Sequence, residues 1–317
     1  FDDTFYDEIR SFNHNFLINS LPDHQINRFW LIVVSCITGF LIKQSYSKVN
    51  KNRLDFFYQK QKDSNKQSQI TEWNSNEYIE LRRIGVGCSF GAFLIYHIER
   101  EELFVIKKPL IFSEKEKLIE RETYNYKHIK HPLIPKLYGY TQKDKFLIIE
   151  YINGRTLNAK INSFTEKDKI TIIFELMMAI QYIHKNGFIL RDFKTDNICI
   201  DNNKTAIIID FDRVVEASYL MNDQFTNDFS SSYIAPEVNS GNYSNKCDIY
   251  SLGKVILFIM KINSHENNEE MYIKFCKMKQ IYDECIDEDP GKRPTISKLL
   301  FEFYLVSFDS QCLLPRN

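Results

Sequence analysis

Leu190-Arg191-Asp192-Phe193-Lys194-Thr195-Asp196-Asn197 is followed by two apolar runs, Ile198–Ile200 and Ala206–Ile209, and then by Asp210-Phe211-Asp212. Short β-branched runs on either side of Asn202-Asn203 predict a hairpin. Such a hairpin brings Asn197, before its first strand, beside Asp210, after its second. A polar turn holding two ordinary acids is the bland alternative, but it leaves unexplained why the run Ile207-Ile208-Ile209 ends in a carboxylate. Phosphoryl transfer needs a carboxylate to orient a hydroxyl nucleophile, oxygen ligands for the metal that accompanies the phosphates, and a cation for developing charge. Asp192, Asn197 with Asp210, and Lys194 supply those groups within one loop and one hairpin.

Working outward, the 317 residues fall into three zones. Residues 1–43 end in a 14-residue apolar run, Phe29 to Ile42. Residues 44–72 are polar and read as a linker or a solvated helix. Residues 73–317 alternate strand-like and helix-like patterns to form the principal domain. The apolar run is shorter than the ~17–25 residues that span a bilayer. It is therefore either a packing helix or an anchor lengthened by snorkelling of Arg28 and Lys43. As an anchor it would place the C-terminal part in the cytosol, because Lys43, Lys48, Lys51 and Arg53 follow it and acids precede it. No small-residue cleavage site follows it, so no cleaved signal is expected. Residue 1 is Phe, and the natural start is expected upstream.

Bulk properties exclude some classes. Net charge is −1 and the pI about 6.7, so nothing in the composition argues for a nucleic-acid partner. Seven scattered cysteines without a CxxC pair speak against a disulfide framework or a zinc site, and a cytoplasmic setting is the default.

Within the third zone, strand-like runs at Tyr78–Ile84, Ala92–Ile98 and Leu103–Lys107 precede a helix for which Ser113 and Glu116 form a candidate capping box. Runs around Leu137–Thr141 and Phe146–Glu150 complete an antiparallel sheet. Helices dominate afterwards; Thr165 with Asp168 starts a long one and Asn186-Gly187 ends it. A small β-lobe followed by a larger helical lobe is a two-lobed α+β architecture. Between the first two strands lies Gly85-Val86-Gly87-Cys88-Ser89-Phe90-Gly91, a loop whose glycines allow close approach to phosphates. It is not a Walker loop, since no Gly-Lys-Ser/Thr follows. Lys107 lies on the third strand, with Glu122 on the next helix as its obvious partner and Glu120 as a rival.

These residues, taken in order, resemble the eukaryotic protein kinase signature set. Arg-Asp-x-Lys-x-x-Asn resembles the catalytic loop, Asp-Phe-Asp the metal-binding motif, and Val105-Ile106-Lys107 the strand that carries the ATP-binding lysine. Arg121-Glu122 followed by His131-Pro132 resembles the paired helix glutamate and its exit turn. Glu150-Tyr151-Ile152 resembles the hinge, with Ile149 before it. Ala235-Pro236-Glu237, the helix opening at Asp248, and Asp289-Pro290-Gly291-Lys292-Arg293-Pro294 resemble the later motifs. The match runs from about residue 78 to 305.

The resemblance implies ATP and Mg2+ as cofactors and a protein Ser/Thr hydroxyl as acceptor. It implies that Gly85, Gly87, Gly91, Val105, Lys107, Ile149, Glu150, Ile152 and Cys199 surround the nucleotide. Lys107 would hold phosphates while paired with Glu122. Asp192 would accept the proton, with Lys194 beside it, and Asn197 and Asp210 would bind the metal. Glu237 would pair with Arg293 in a structural role, and Asp248 would support the core. Thr226 is expected as the regulatory phosphosite, Arg191 as the cation that receives its phosphate, and Ser230 as a partner of the catalytic aspartate.

Four departures stand out. The glycine loop carries one extra residue, Val105 replaces alanine, Leu190 replaces histidine, and Asp212 replaces glycine. The stretch from Asp248 to Arg293 is also short. The leading reading is an ATP-dependent serine/threonine kinase acting in signal transduction. The alternative is a pseudokinase that binds nucleotide or serves only as a scaffold.

Overall fold

A computed structural model describes residues 70–87, 89–218, 232–260 and 278–308. The apolar run 29–42 and nearly all of the 44–72 segment lie outside those residues, as do Thr226 and Ser230. Among the described residues no helix is long and apolar enough to cross a membrane.

The N-terminal part is a six-stranded sheet in the order β1-β5-β6-β4-β3-β2. Its strands are β1 (Thr71–Trp73), β2 (Tyr78–Val86), β3 (Phe90–His97), β4 (Glu102–Pro109), β5 (Leu137–Thr141) and β6 (Leu147–Glu150). Five of them pair antiparallel, as the sequence suggests. The sixth was not anticipated: β1 pairs parallel with β5, placing Thr71 against Gly139. A Cβ on Gly139 would stand 2.1 Å from the Thr71 carbonyl, so only glycine permits this approach. Trp73 then seals one face of the sheet, packed with Ile95, Phe104, Ile106 and Ile148. Its ring meets Phe104 edge-on at 4.9 Å between centroids.

Helix α1 (Lys115–His128) connects the third strand of the hairpin array to β5. The expected Ser113–Glu116 capping box does not form. The chain enters α1 through a 3-10 turn, Phe112–Glu114, so Ser113 lies inside that turn and Glu114 takes the cap position without a side-chain bond. Thr165 behaves as read: it forms a full capping box with Asp168 at the start of α3 (Glu166–Lys185). That helix ends at Asn186, with Gly187 left-handed at φ 81°.

The C-terminal part is mostly helical. It contains α2 (Leu157–Lys160), α3, α4 (Asn245–Met260), a helical stretch at 278–285 and α5 (Ile296–Phe308). Against α3 lies a small sheet of β7 (Gly154–Thr156), β9 (Ile198–Asp201) and β10 (Ala206–Ile208), and β8 (Phe188–Ile189) pairs with β11 (Val215–Glu216). Helix α3 is buried along most of its length, and Ile172, Ile173, Leu176, Met177 and Ile180 are fully enclosed. Burial of that many large aliphatic side chains, each contributing about 1.5–3 kcal/mol, makes it the core of this part.

Candidate active site

The β9–β10 hairpin pairs Ile198 with Ile208, Cys199 with Ile207 and Ile200 with Ala206. The turn is longer than the expected Asn202-Asn203 pair. The Asp201 carboxylate accepts the amides of Asn203 and Thr205, both at 2.8 Å, and Lys204 takes φ 63°. This side-chain-organised turn needs extra residues to close on Asp201. As expected, the hairpin brings its two ends together: the Ile209 amide donates to the Asn197 carbonyl at 3.0 Å, so Asp210 follows directly beside Asn197.

Asp192 is held from two sides. Lys194 Nζ donates to its two carboxylate oxygens at 3.0 and 2.8 Å. Asn197 Nδ2 donates to the Asp192 carbonyl at 2.8 Å and to Oδ2 at 3.2 Å. The loop itself hangs from Asp248 in α4, whose side chain is fully buried. Its Oδ2 accepts the Leu190 amide and its Oδ1 the Arg191 amide, each at 2.9 Å. His184 Nε2 lies 2.8 Å from the same Oδ2. These bonds hold Arg191 at φ 67°, a left-handed conformation costly for a long side chain and sustained only by such fixing. Leu190 is buried, so a packing residue serves where the resemblance has histidine. His184 was not singled out from sequence; nothing in its helical neighbourhood marks it.

A second cluster forms around Lys107. Its ammonium bonds Glu122 Oε1, and Asp210 Oδ1 at 3.0 Å. Burial works against that ammonium, but Asp210 and Glu122 overcome it and hold Lys107 well above the usual lysine value. Burial drives the Glu122 carboxyl up to about 7 despite the pull of Lys107. The obvious partner of Lys107 is thus the one it takes, whereas Glu120 is exposed. The Phe90 ring, itself buried, lies with its centroid 5.0 Å from Lys107 Nζ.

Strand register identifies the apolar surface on the same face as Lys107. Directly opposed residues of antiparallel strands share a face. Lys107 pairs with Ala92, Val105 with Leu94, and Ile149 with Val105. Leu94 is therefore part of this surface, yet it was missed. Its signal, the register two residues from Ala92, becomes readable only once β3 and β4 are aligned. Cys199 lies on β9 opposite Thr156, and burial pushes its thiol up to about 11. Glu150 closes β6, and Tyr151 and Ile152 lead half-buried to β7.

Gly85, Gly87 and Gly91 are not among the described residues with left-handed backbone. Gly85 and Gly91 sit in paired strands opposite Ala92 and Val86, and Gly87 turns the chain by donating its amide to the Phe90 carbonyl at 2.8 Å. A Cβ at Gly87 would lie 3.6 Å from Asp210 Oδ2, which places the loop over the Asp210 carboxylate. The lengthened glycine loop meets the Asp212 departure here: the Ser89 side chain hydrogen-bonds the Asp212 carboxylate, and both residues are buried. Asp212 is not among the described residues with positive φ, so this position does not call on the left-handed freedom of glycine.

Away from these clusters, Glu237 and Arg293 form the expected buried pair in bidentate geometry, Nη1–Oε1 at 2.6 Å and Nη2–Oε2 at 2.8 Å. Arg191 is stacked over Tyr243 at 4.1 Å.

Among the described residues no group of three or more His, Cys, Asp or Glu could hold a metal by itself. Asn197 and Asp210 fit a different arrangement. With Nδ2 committed to Asp192, Asn197 keeps Oδ1 as its acceptor, and Asp210 is partly exposed. One amide oxygen and one carboxylate are the hard, sparse ligand set that magnesium accepts when phosphates and water complete its shell.

Comparison with known proteins identifies relatives of this chain. A family model described as the protein kinase domain matches residues 78–305. A probable serine/threonine-protein kinase of Dictyostelium discoideum is 27% identical over 75% of this chain and 29% of its own length. The serine/threonine-protein kinase STE20 of Saccharomyces cerevisiae is 26% identical over 73% of this chain and 27% of its own length. The chain therefore spans less than a third of the length of these relatives.

Proposed function

We propose that this chain, which belongs to the protein kinase family, is an active serine/threonine kinase that transfers the γ-phosphoryl group of Mg-ATP to a protein hydroxyl. The observation that carries the reading is Asp192. Its carboxylate is oriented by Lys194 and Asn197 on a loop fixed by Asp248, one hairpin away from the Lys107–Asp210–Glu122 cluster.

The chain's own residues then have distinct tasks. Asp192 orients the acceptor hydroxyl and takes its proton. Lys194, already bonded to Asp192, lies where it can offset negative charge developing on the transferred group. Lys107, kept charged by Glu122 and Asp210, anchors phosphate oxygens. Leu94, Val105, Ile149 and Cys199 form apolar surface for the base, and the glycine loop covers the phosphates. Asn197 Oδ1 and Asp210 would hold magnesium, which when bound neutralises phosphate charge. Lys194, two residues after Asp192, supports the serine/threonine assignment.

The test is transfer of labelled phosphate from Mg-ATP to a generic acceptor such as myelin basic protein. The parent should label the acceptor while Asp192→Asn, folded and nucleotide-binding, does not. A parent that binds nucleotide without transferring phosphate would overturn the reading in favour of a scaffold.

A further inference from the structure

Glu122, Asn125 and Tyr126 stand at i, i+3 and i+4 on α1 and therefore share one face. Glu122 reaches Lys107, and Tyr126 packs on Phe211 with ring centroids 5.2 Å apart. The residue between them is polar, only 2% exposed, and assigned no task so far.

Its amide nitrogen is fully employed. Asn125 Nδ2 donates to the Phe211 carbonyl at 3.1 Å and to the Val214 carbonyl at 2.9 Å. Those two carbonyls mark the ends of the turn that follows Asp210, which closes through the Val214 amide to the Phe211 carbonyl at 3.4 Å. A primary amide nitrogen is suited to this task because it carries two hydrogens. Serine offers one, leucine none, and an ionised aspartate would face two carbonyls with like polarity. Phe211 and Val214 are themselves buried, so water cannot readily replace the donors.

We propose that Asn125 is a positioning residue: it clamps the turn after Asp210 to α1, so that Glu122 and Asp210 arrive at Lys107 as one unit. Lys107 Nζ needs both carboxylates at once, one from α1 and one from the end of the β9–β10 hairpin. Without a tie between those elements, each could shift independently and leave the ammonium half-partnered. The clamp is intrinsic to this chain, and Tyr124 Oη reinforces it by donating to Glu216 Oε2 at 2.9 Å, just beyond the turn. The consequence for catalysis rests on the kinase reading above; the clamp itself does not.

The test compares the full chain with Asn125→Ser, Asn125→Gln, Glu122→Gln and the Ser/Gln double variant. Removing one of two buried donors should lower kcat/KM for ATP by about tenfold in Asn125→Ser. Glu122→Gln in the Ser background should cost little beyond Glu122→Gln alone, because both act on Lys107. Asn125→Gln keeps both donors on a longer side chain and should recover part of the loss; if the serine variant does not fold, this displaced amide is the milder perturbation and should still lower kcat/KM for ATP and speed exchange at 211–216. Fully additive losses, or no loss, would overturn the proposal. Hydrogen exchange on the same proteins needs no activity: amides 211–216 should exchange faster in Asn125→Ser while those of α3 do not. If exchange speeds up but the parent transfers no phosphate, the clamp stands and the kinase reading fails. Unchanged exchange at 211–216 removes the clamp, whatever the activity.

Discussion

Two buried ion pairs divide the labour of this molecule, and they are built to different standards. Arg293 with Glu237 is satisfied throughout. Beyond the bidentate contact, Arg293 Nε donates to the Asp287 carbonyl at 2.7 Å and Nη1 to the Lys246 carbonyl at 3.0 Å. Lys107 with Glu122 is not. Glu122 Oε2 is buried and has no hydrogen-bond partner among the described residues, and the lysine is shared with Asp210. A pair whose polar atoms are all matched serves structure. A pair left short of partners, with its carboxyl pushed up by burial, keeps capacity for a ligand. The difference suggests that perturbing one should cost stability and perturbing the other should cost chemistry.

The largest effect should come from neither pair, and it sets the scale. Asp192→Asn removes a positioned base, a loss typically of ~10²–10⁴ in rate or about 3–5 kcal/mol of barrier. Its melting temperature should stay near that of the parent, because Lys194 and Asn197 still find an amide to bond. A variant that transfers phosphate at the parent rate would remove Asp192 from the mechanism.

Arg293→Ala should come next, this time in stability. It strands the Glu237 carboxylate and three backbone carbonyls, those of Asp287, Lys246 and Glu288, and breaking a buried pair from one side typically costs about 3–5 kcal/mol. Chemical denaturation measures it. A midpoint within error of the parent would mean the bidentate pair contributes little and the proposed division of labour is wrong.

A neutral, half-buried group sharpens the contrast with both pairs. His131 is lowered to about 4 by burial and stacks with Tyr182 at 4.9 Å. The unfolded chain takes up this proton near the ordinary value of about 6.5, while the folded chain refuses it until about 4. Stability from this residue is therefore complete above pH 6.5 and is lost as pH falls towards 4, by about 3 kcal/mol at most. His131→Gln should flatten that acid limb. An unchanged slope between pH 6.5 and 4 would show that the ring is more solvated than its position implies.

How much of this was legible beforehand follows the same line between local and non-local causes. The Asp192 loop, the β9–β10 hairpin, the Thr165 cap and the Lys107–Glu122 pair are written in short motifs whose chemistry is self-contained. Strand β1 was not legible, because three residues of Thr-Glu-Trp carry no periodicity, and their pairing depends on Gly139 far along the chain. Leu94 needed strand register, and Asn125 needed the position of two carbonyls almost ninety residues away. Ser113 misled because a capping pattern does not reveal whether a 3-10 turn will precede the helix. Asp212, a departure when read singly, makes sense only through its contact with Ser89 of the glycine loop.

The smallest expected effect is the most discriminating, since it concerns the under-satisfied pair directly. At pH 5, before the parent carboxyl's burial is felt, Glu122→Gln should leave stability within about 1 kcal/mol of the parent, unlike Arg293→Ala, for two reasons. Lys107 is not orphaned, because Asp210 remains 3.0 Å away. The substitution also relieves the carboxylate of a burial cost that pushes it up to about 7. The sign with pH follows from that direction. The unfolded carboxyl releases its proton near 4.5 and the folded one near 7, so the parent loses stability as pH rises through this window. Glutamine does not titrate, so the variant should gain on the parent between pH 5 and pH 8, with the contribution of His131 cancelling in the difference. Meanwhile its KM for ATP should rise, because Lys107 loses one of the two carboxylates that aim it. Thermal melts at the two pH values, alongside ATP titrations, give both readouts from one preparation. A variant destabilised as strongly as Arg293→Ala, or one whose deficit grows with pH, would show that Glu122 is a structural ion-pair partner like Glu237, and the distinction between the pairs would fail.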